Sequence, residues 1–124
     1  MIALLDDVPS GVLGFRAEDR LDRGELGEVV VPPIRAAIDR GDPLHVLVEV
    51  ASGFAQVDPL AAVAELKEGL DRELRRRARF VRGAVVTDVG WLTGSVGLMG
   101  WMVPGELRTF APADRAEALV WAAG

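Results

Sequence analysis

The side chains able to do chemistry fall mainly on three short apolar runs that alternate like strands. In residues 44–51, His45, Leu47 and Glu49 share one face, because successive strand side chains point to opposite sides. In residues 80–87, Arg82 shares a face with Ala84 and Val86, and in residues 106–110 Glu106 shares one with Arg108. If these faces coincide, one side of a sheet is partly polar and carries a cluster of Glu49, Arg82 and Arg108. Two readings follow. A buried carboxylate with a perturbed pKa marks a site; an ion pair, Glu49–Arg82 or Glu49–Arg108, on a half-covered face is structural. The ion pair is the preferred reading.

The rest of the chemical inventory is thin. Serine occurs only at 10, 52 and 95, and nothing in the sequence sets one beside His45 and an acid. There is no Gly-x-Ser-x-Gly elbow, Walker loop or dinucleotide fingerprint. Cysteine is absent and histidine occurs once, so thiolate-ligated zinc and iron–sulfur sites are excluded and a histidine-rich metal site is not expected. His45, opening a strand, is read as structural. The expectation is no catalytic residue, no metal and no cofactor, and a protein that is not an enzyme.

The most unusual segment is 90–105, which holds no charge. Its helical part, 91–103, reaches roughly 20 Å, short of the ~30 Å hydrocarbon core of a bilayer, so no transmembrane segment is expected. Glycines at 90, 94, 97 and 100 each cost a helix about 1 kcal/mol against alanine, which close packing has to offset. Trp91 and Trp101 each bury ~150–250 Å² when enclosed, an upper bound of about 4–6 kcal/mol apiece. Such a helix is either wholly core or presents a surface to something else. Trp91, Gly94, Gly97, Leu98, Trp101 and Met102 are therefore the candidate interface or apolar-ligand surface. A homodimer is the favoured partner, with a protein partner, an apolar ligand or peripheral membrane contact as alternatives.

The positions of these residues depend on the elements around them. At 124 residues, half of them hydrophobic and 27% charged, the chain has the size and balance of a single globular domain spanning 1–124. A net charge of −5 speaks against nucleic-acid binding. The N-terminal apolar run is too short for a signal peptide, and a cytoplasmic location is expected. Charge is uneven: residues 1–62 carry 11 acids and 5 bases, against 8 and 9 in 63–124. The arginine-rich stretch 72–82 reads as a solvated helix face, with Glu68/Arg72, Asp71/Arg75 and Glu73/Arg77 at i,i+4.

Residues 2–6 and 12–20 form a β-hairpin around Pro9 and Gly11. A helical region from Arg23 to Gly41 breaks near Val31, where Pro32 and Pro33 remove backbone donors. Asp58-Pro59 opens a helix whose apolar face is Leu60, Val63, Leu66, Leu70 and Leu74. Residues 112–123 form a last helix with Ala116, Leu119, Val120 and Ala123 on its apolar side. The order β-β-α-β-α-β-α-β-α predicts an α/β fold, a mixed sheet with its N-terminal hairpin antiparallel and the 44–51 and 80–87 strands central and parallel.

Several stretches in this order carry a family resemblance. They are the opening Met-Ile with its hairpin, Val30-Val31-Pro32, Phe54, Ala84-Val85-Val86-Thr87-Asp88 followed by Trp91, Met102-Val103-Pro104-Gly105-Glu106-Leu107-Arg108-Thr109-Phe110, and Trp121. Their order and spacing resemble the SpoIIAA-like family of small bacterial proteins. The resemblance implies a STAS-like fold related to the CRAL-TRIO lipid-binding fold and no established enzymatic activity, with lipid binding as the alternative function by fold analogy. STAS domains act as binding modules, and those that antagonise anti-sigma factors are switched by phosphorylation of a serine near the start of the helix after the third strand. Here that helix starts Asp58-Pro59-Leu60-Ala61-Ala62, and residues 53–86 contain neither serine nor threonine. An anti-sigma kinase with ATP is therefore expected to leave this turn unmodified on peptide mapping. Phosphate recovered at Ser52, the only hydroxyl of the preceding loop, would overturn that expectation.

Overall fold

The computed structural model describes residues 1–55, 57–99 and 105–124; the side chains of residue 59 and of residues 95–99 also lie outside the description. Strand β1 (Ile2–Leu4) turns back into β2 (Val12–Ala17). Gly11, at φ 87°, supplies the left-handed backbone this turn requires, and Val12 N–H closes it on the Pro9 carbonyl at 3.1 Å. The two strands pair antiparallel, Ile2 against Ala17 and Leu4 against Phe15. Strands β3 (Leu44–Val50), β4 (Phe80–Val86) and β5 (Glu106–Phe110) follow, and the sheet runs β1-β2-β3-β4-β5. The β2/β3, β3/β4 and β4/β5 pairs are parallel. The expected mixed sheet, with β3 and β4 internal, is what forms.

Helices α1 (Glu25–Val29) and α2 (Val31–Asp39) meet at Val30, next to the expected break. Pro32 and Pro33 sit in the first turn of α2, where a missing N–H loses no intrahelical bond. The next helical region departs from its sequence reading. Instead of one continuous helix there are two, α3 (Pro59–Gly69) and α4 (Arg72–Arg77). Leu70 is extended, and Asp71 caps α4 by accepting from Leu74 N–H at 2.9 Å. Gly69 lies so close to α2 that a Cβ there would stand 2.6 Å from the Val31 side chain. The expected i,i+4 ion pairs give way to other contacts: Asp71 is spent as a cap, Glu73 bonds Arg76, and Arg77 donates to Asp39. Leu60, expected on the apolar face, is 63% exposed.

Helix α5 (Gly90–Met99) follows β4, and α6 (Arg115–Ala123) closes the chain after a 3-10 turn at Pro112–Asp114. The buried side of α6 is not the expected one. Ala118 and Ala122 are fully buried, with Leu119 packed beside them, whereas Val120 is 75% exposed and Ala116 and Ala123 face solvent. Arg115, Ala118, Leu119 and Ala122 form the i, i+3, i+4, i+7 stripe. A helix that is apolar nearly all round gives pattern reading little purchase; here the sheet takes the alanines because they admit the closest approach.

The sheet buries both faces. Phe15, Ala17 and Val50 pack with Leu26, Val30, Phe54 and Val89 on one side. Val12, Leu47, Ala84, Val86 and Phe110 pack against α6 on the other. Phe15 and Leu47, one on each face, are completely enclosed.

Glu25 ties α1 to the start of the sheet. Its carboxylate accepts from Asp22 N–H at 3.0 Å and from Ile2 N–H. The hydrogen bond from Asp22, helped by that from Ile2 and by the Met1 amine, holds its pKa below the ordinary carboxylate value despite desolvation. The stabilisation from this lowering is complete above the unfolded pKa of about 4.3 and disappears as pH falls through the lower folded value. Glu25→Gln is accordingly expected to lower the urea midpoint at pH 7, with the gap to wild type closing as the medium is acidified below pH 4. An unchanged gap would remove the carboxylate from the explanation.

Candidate functional site

The sheet face beneath α6 is the polar one. Parallel register places Val12, His45, Arg82 and Glu106 in one row and Arg16, Glu49, Val86 and Phe110 in another. Glu49 is 7% exposed, at the C-terminal end of β3. Arg16 Nη1 donates to Glu49 Oε2 at 2.9 Å, and Arg16 Nε donates to Glu18 at 2.7 Å. From the first turn of α6, Arg115 Nε donates to Glu49 Oε1 while its Nη2 lies 2.9 and 3.1 Å from the Asp7 carboxylate oxygens. The Glu18 and Glu49 carboxylates raise the Arg16 pKa above its ordinary value; Glu49 and then Asp7 do the same for Arg115.

A cavity of about 220 Å³ opens beside this cluster, bounded by Arg16, Glu49, Ser52, Val86, Pro112 and Arg115. It lies where α/β sheets usually receive ligands, at the carboxyl ends of parallel strands. The charges nonetheless satisfy one another. Two guanidiniums face three carboxylates, Glu49, Glu18 and Asp7, so no cation is left over for an anionic ligand. At the rim, Ser52 Oγ donates to the Asp88 carboxylate, 2.7 Å from its nearer oxygen.

The expected partners of Glu49 lie elsewhere. Glu49, Arg82 and Arg108 do share one sheet face. But Arg82 is four residues down β4 from Val86, the neighbour of Glu49, a separation of about 13 Å along the strand. Arg82 instead donates to the Trp121 carbonyl at 2.8 Å and stacks on that ring at 5.0 Å. Arg108 stacks on Phe110 at 4.8 Å and approaches Trp121 at 6.0 Å. Arg16 was legible in principle, since pairing β2 beside β3 sets it opposite Glu49. Arg115 was hidden by the misplaced face of α6.

His45 Nδ1 lies 2.6 Å from the Ala122 carbonyl and donates to it, the structural role expected of a lone histidine. The groove beside it, about 520 Å³, lies at the amino ends of β2 and β3, with Arg40 and Asp42 paired at 2.9 Å.

Helix α5 begins on a local brace, with Thr87 Oγ1 accepting from Val89 N–H at 3.0 Å. Trp91 and Leu92 are half-buried and pack against the cluster containing Phe54 and Val89. Gly90, Thr93 and Gly94 are exposed. Among the described residues, nothing lies within 4 Å of a Cβ built at Gly90 or Gly94. Gly97 and Leu98 lie on α5, with side chains outside the description. Gly100, Trp101 and Met102 fall outside the described residues. No helix among the described residues is long and apolar enough to cross a membrane.

The SpoIIAA-like family model matches residues 12–123. No curated protein matches the chain. Among solved structures, an uncharacterized protein of the DUF3478 family from Shewanella loihica PV-4, with a SpoIIAA-like fold, superimposes with a TM-score of 0.60. It is 18% identical, and the match covers 98% of this chain and 93% of that one. At this identity the likeness is one of fold.

Glu49→Gln removes the charge toward which two guanidiniums turn. The Arg16 and Arg115 side chains are 42% and 32% exposed, so water takes up part of the loss. A destabilisation of about 1–3 kcal/mol in urea unfolding is expected. In a double-mutant cycle with Arg115→Gln the two effects should fail to add; additivity within about 0.5 kcal/mol would mean that the pair contributes nothing.

Proposed function

We propose, from the premise that the chain belongs to the SpoIIAA-like family, that it is a non-catalytic binding module acting as one domain over residues 1–124. Its working surface is the region of α5, and its first partner is a second copy of itself. The observation that carries this reading is the state of Gly90 and Gly94. Gly94, inside the helix, costs stability of about 1 kcal/mol against alanine, and among the described residues no neighbour within the chain takes up the space that it or Gly90 leaves. They stand exposed on a helix with no charged residue. A second subunit resting on this side would use the close approach that the missing Cβ atoms permit. The likeness to STAS domains, which act by binding other proteins, supports the same reading. So does the mutual pairing of the polar groups around Glu49, which leaves them better suited to holding the sheet together than to chemistry.

Native mass spectrometry and light scattering of the purified chain test this together, since they report subunit number and any co-purified ligand. A dimer is expected. Gly94→Glu should give a folded monomer by circular dichroism, because the site is open and glutamate favours helix over glycine. A wild-type chain that stays monomeric at high concentration, binds no liposomes and carries no ligand would remove the surface role from α5. A bound lipid or other apolar molecule in place of a second subunit would turn the reading to ligand binding.

A further inference from the structure

We infer that the two copies join through β5, edge to edge and antiparallel, with a two-fold axis through Leu107. The inference rests on the self-association proposed above and specifies its geometry. Among the described residues β5 pairs only with β4, so its other edge is the end of the sheet. The backbone orientation follows from one hydrogen bond. Thr87 N–H donates to the Phe110 carbonyl at 2.9 Å, so the backbone groups of Phe110 point toward β4. Alternation turns those of Arg108 and Glu106 the same way and leaves the N–H and C=O of Leu107 and Thr109 pointing outward.

An added antiparallel strand must set outward-facing residues opposite outward-facing residues. Within β5 this parity permits a two-fold axis at Glu106, Leu107, Arg108, Thr109 or Phe110. Charge decides among them. An axis at Glu106 or Arg108 sets that residue against its own copy, which is repulsive. An axis at Thr109 or Phe110 sets no opposite charges of the strand against each other. At Leu107 the two leucines exchange both hydrogen bonds, and Glu106 stands opposite Arg108 of the second copy, twice over. These are the non-hydrogen-bonded pairs, in which Cα atoms are only about 4.5 Å apart and side chains approach most closely.

Both side chains are available for this. Glu106 is 68% exposed and reaches only a 3.9 Å contact with Arg82. Arg108 is exposed and rests on aromatic rings. They lie on the α6 face, where α6 packs chiefly over β3 and β4 and meets β5 through Trp121 at Phe110 and Arg108, yet both side chains stay exposed. On the opposite face α5 packs against β5, so the joined edges carry both copies of α5 to the junction. The product is one ten-stranded sheet with the uncharged helices flanking its centre.

The test is a charge exchange read by native mass spectrometry, with circular dichroism confirming that each variant is folded. Arg108→Glu makes both residues of the pair acidic, and Glu106→Arg makes both basic. Each variant alone should dimerise about tenfold more weakly than wild type, or worse. Mixed in equal amounts, the two should form a heterodimer, because every opposed pair is then Glu with Arg. Variants that dimerise alone as wild type does, or a mixture that stays monomeric, would overturn the β5 register. If that happens while Gly94→Glu still yields monomers, the α5 reading stands and only the strand pairing fails. A monomeric wild type would remove both.

Discussion

Helix α6 is nine residues long, and among the described residues it is the helix that covers the sheet face carrying Arg16, His45, Glu49, Arg82 and Arg108. Much of the molecule is arranged around that shortage of cover. Ala118 and Ala122 bring the helix axis close enough to enclose Leu47 and Ala84, which a larger residue at either position would prevent. The polar groups that remain are sealed by contacts with α6 itself. Arg115 descends from its first turn to Glu49, and the Trp121 and Ala122 carbonyls near its last turn receive Arg82 and His45. A cation at a helix N-terminus opposes the macrodipole; the Glu49 and Asp7 carboxylates compensate for it. The buried acid of β3 and the misplaced charge of α6 thus resolve each other.

The opposite face is built on a different economy. Helices α1 to α5 share it, and two connections are short enough to be governed by single caps and glycines: Asp71 between α3 and α4, and Gly41, at φ 76°, after α2. Gly41 also offers its carbonyl to Arg79 at 2.6 Å, so the arginine-rich stretch is partly spent in pinning loops. Arg35 does likewise at the Gly69 carbonyl and Arg77 at Asp39. The density of arginine after residue 70 is thereby in part structural. The continuous solvated helix that would have displayed it does not exist.

The strand order was legible because β3 and β4 are near-continuous apolar runs, the mark of strands covered on both sides, and because proline and glycine punctuate the hairpin. The break near Val31, which falls at Val30, was legible for the same local reason. What escaped were features decided by tertiary contact. Leu70 and Leu74 keep helical spacing, yet Gly69 against Val31 and the capping preference of Asp71 end the helix between them. In α6, composition alone could not tell the buried alanines from the exposed ones. A pattern that hides the buried face of α6 also hides Arg115 as a partner, and alternation alone offers Glu49 only Arg82 and Arg108, which share its face but stand too far along the strands. Its true partner on β2, Arg16, required knowing that the hairpin docks beside β3 in parallel register.

The same shortage of cover bears on function. Among the described residues α6 lies chiefly over β3 and β4 and reaches β5 only through Trp121, so Glu106 and Arg108 remain exposed. Exposed edge strands invite pairing, and proteins commonly blunt them with charge, bulges or a covering element. Here the charges occur as one acid and one base separated by a leucine, and that spacing is attractive toward a second copy in one register and repulsive or neutral in the others. Charge that blunts an edge against strangers can thus select an identical partner. The polar residues around Glu49 and Trp121 are held within the chain, whereas the uncharged helix and the free edge adjoin each other at the far side of the sheet. The proposed binding surface draws on that side, while the buried ion pairs around Glu49 belong to the scaffold.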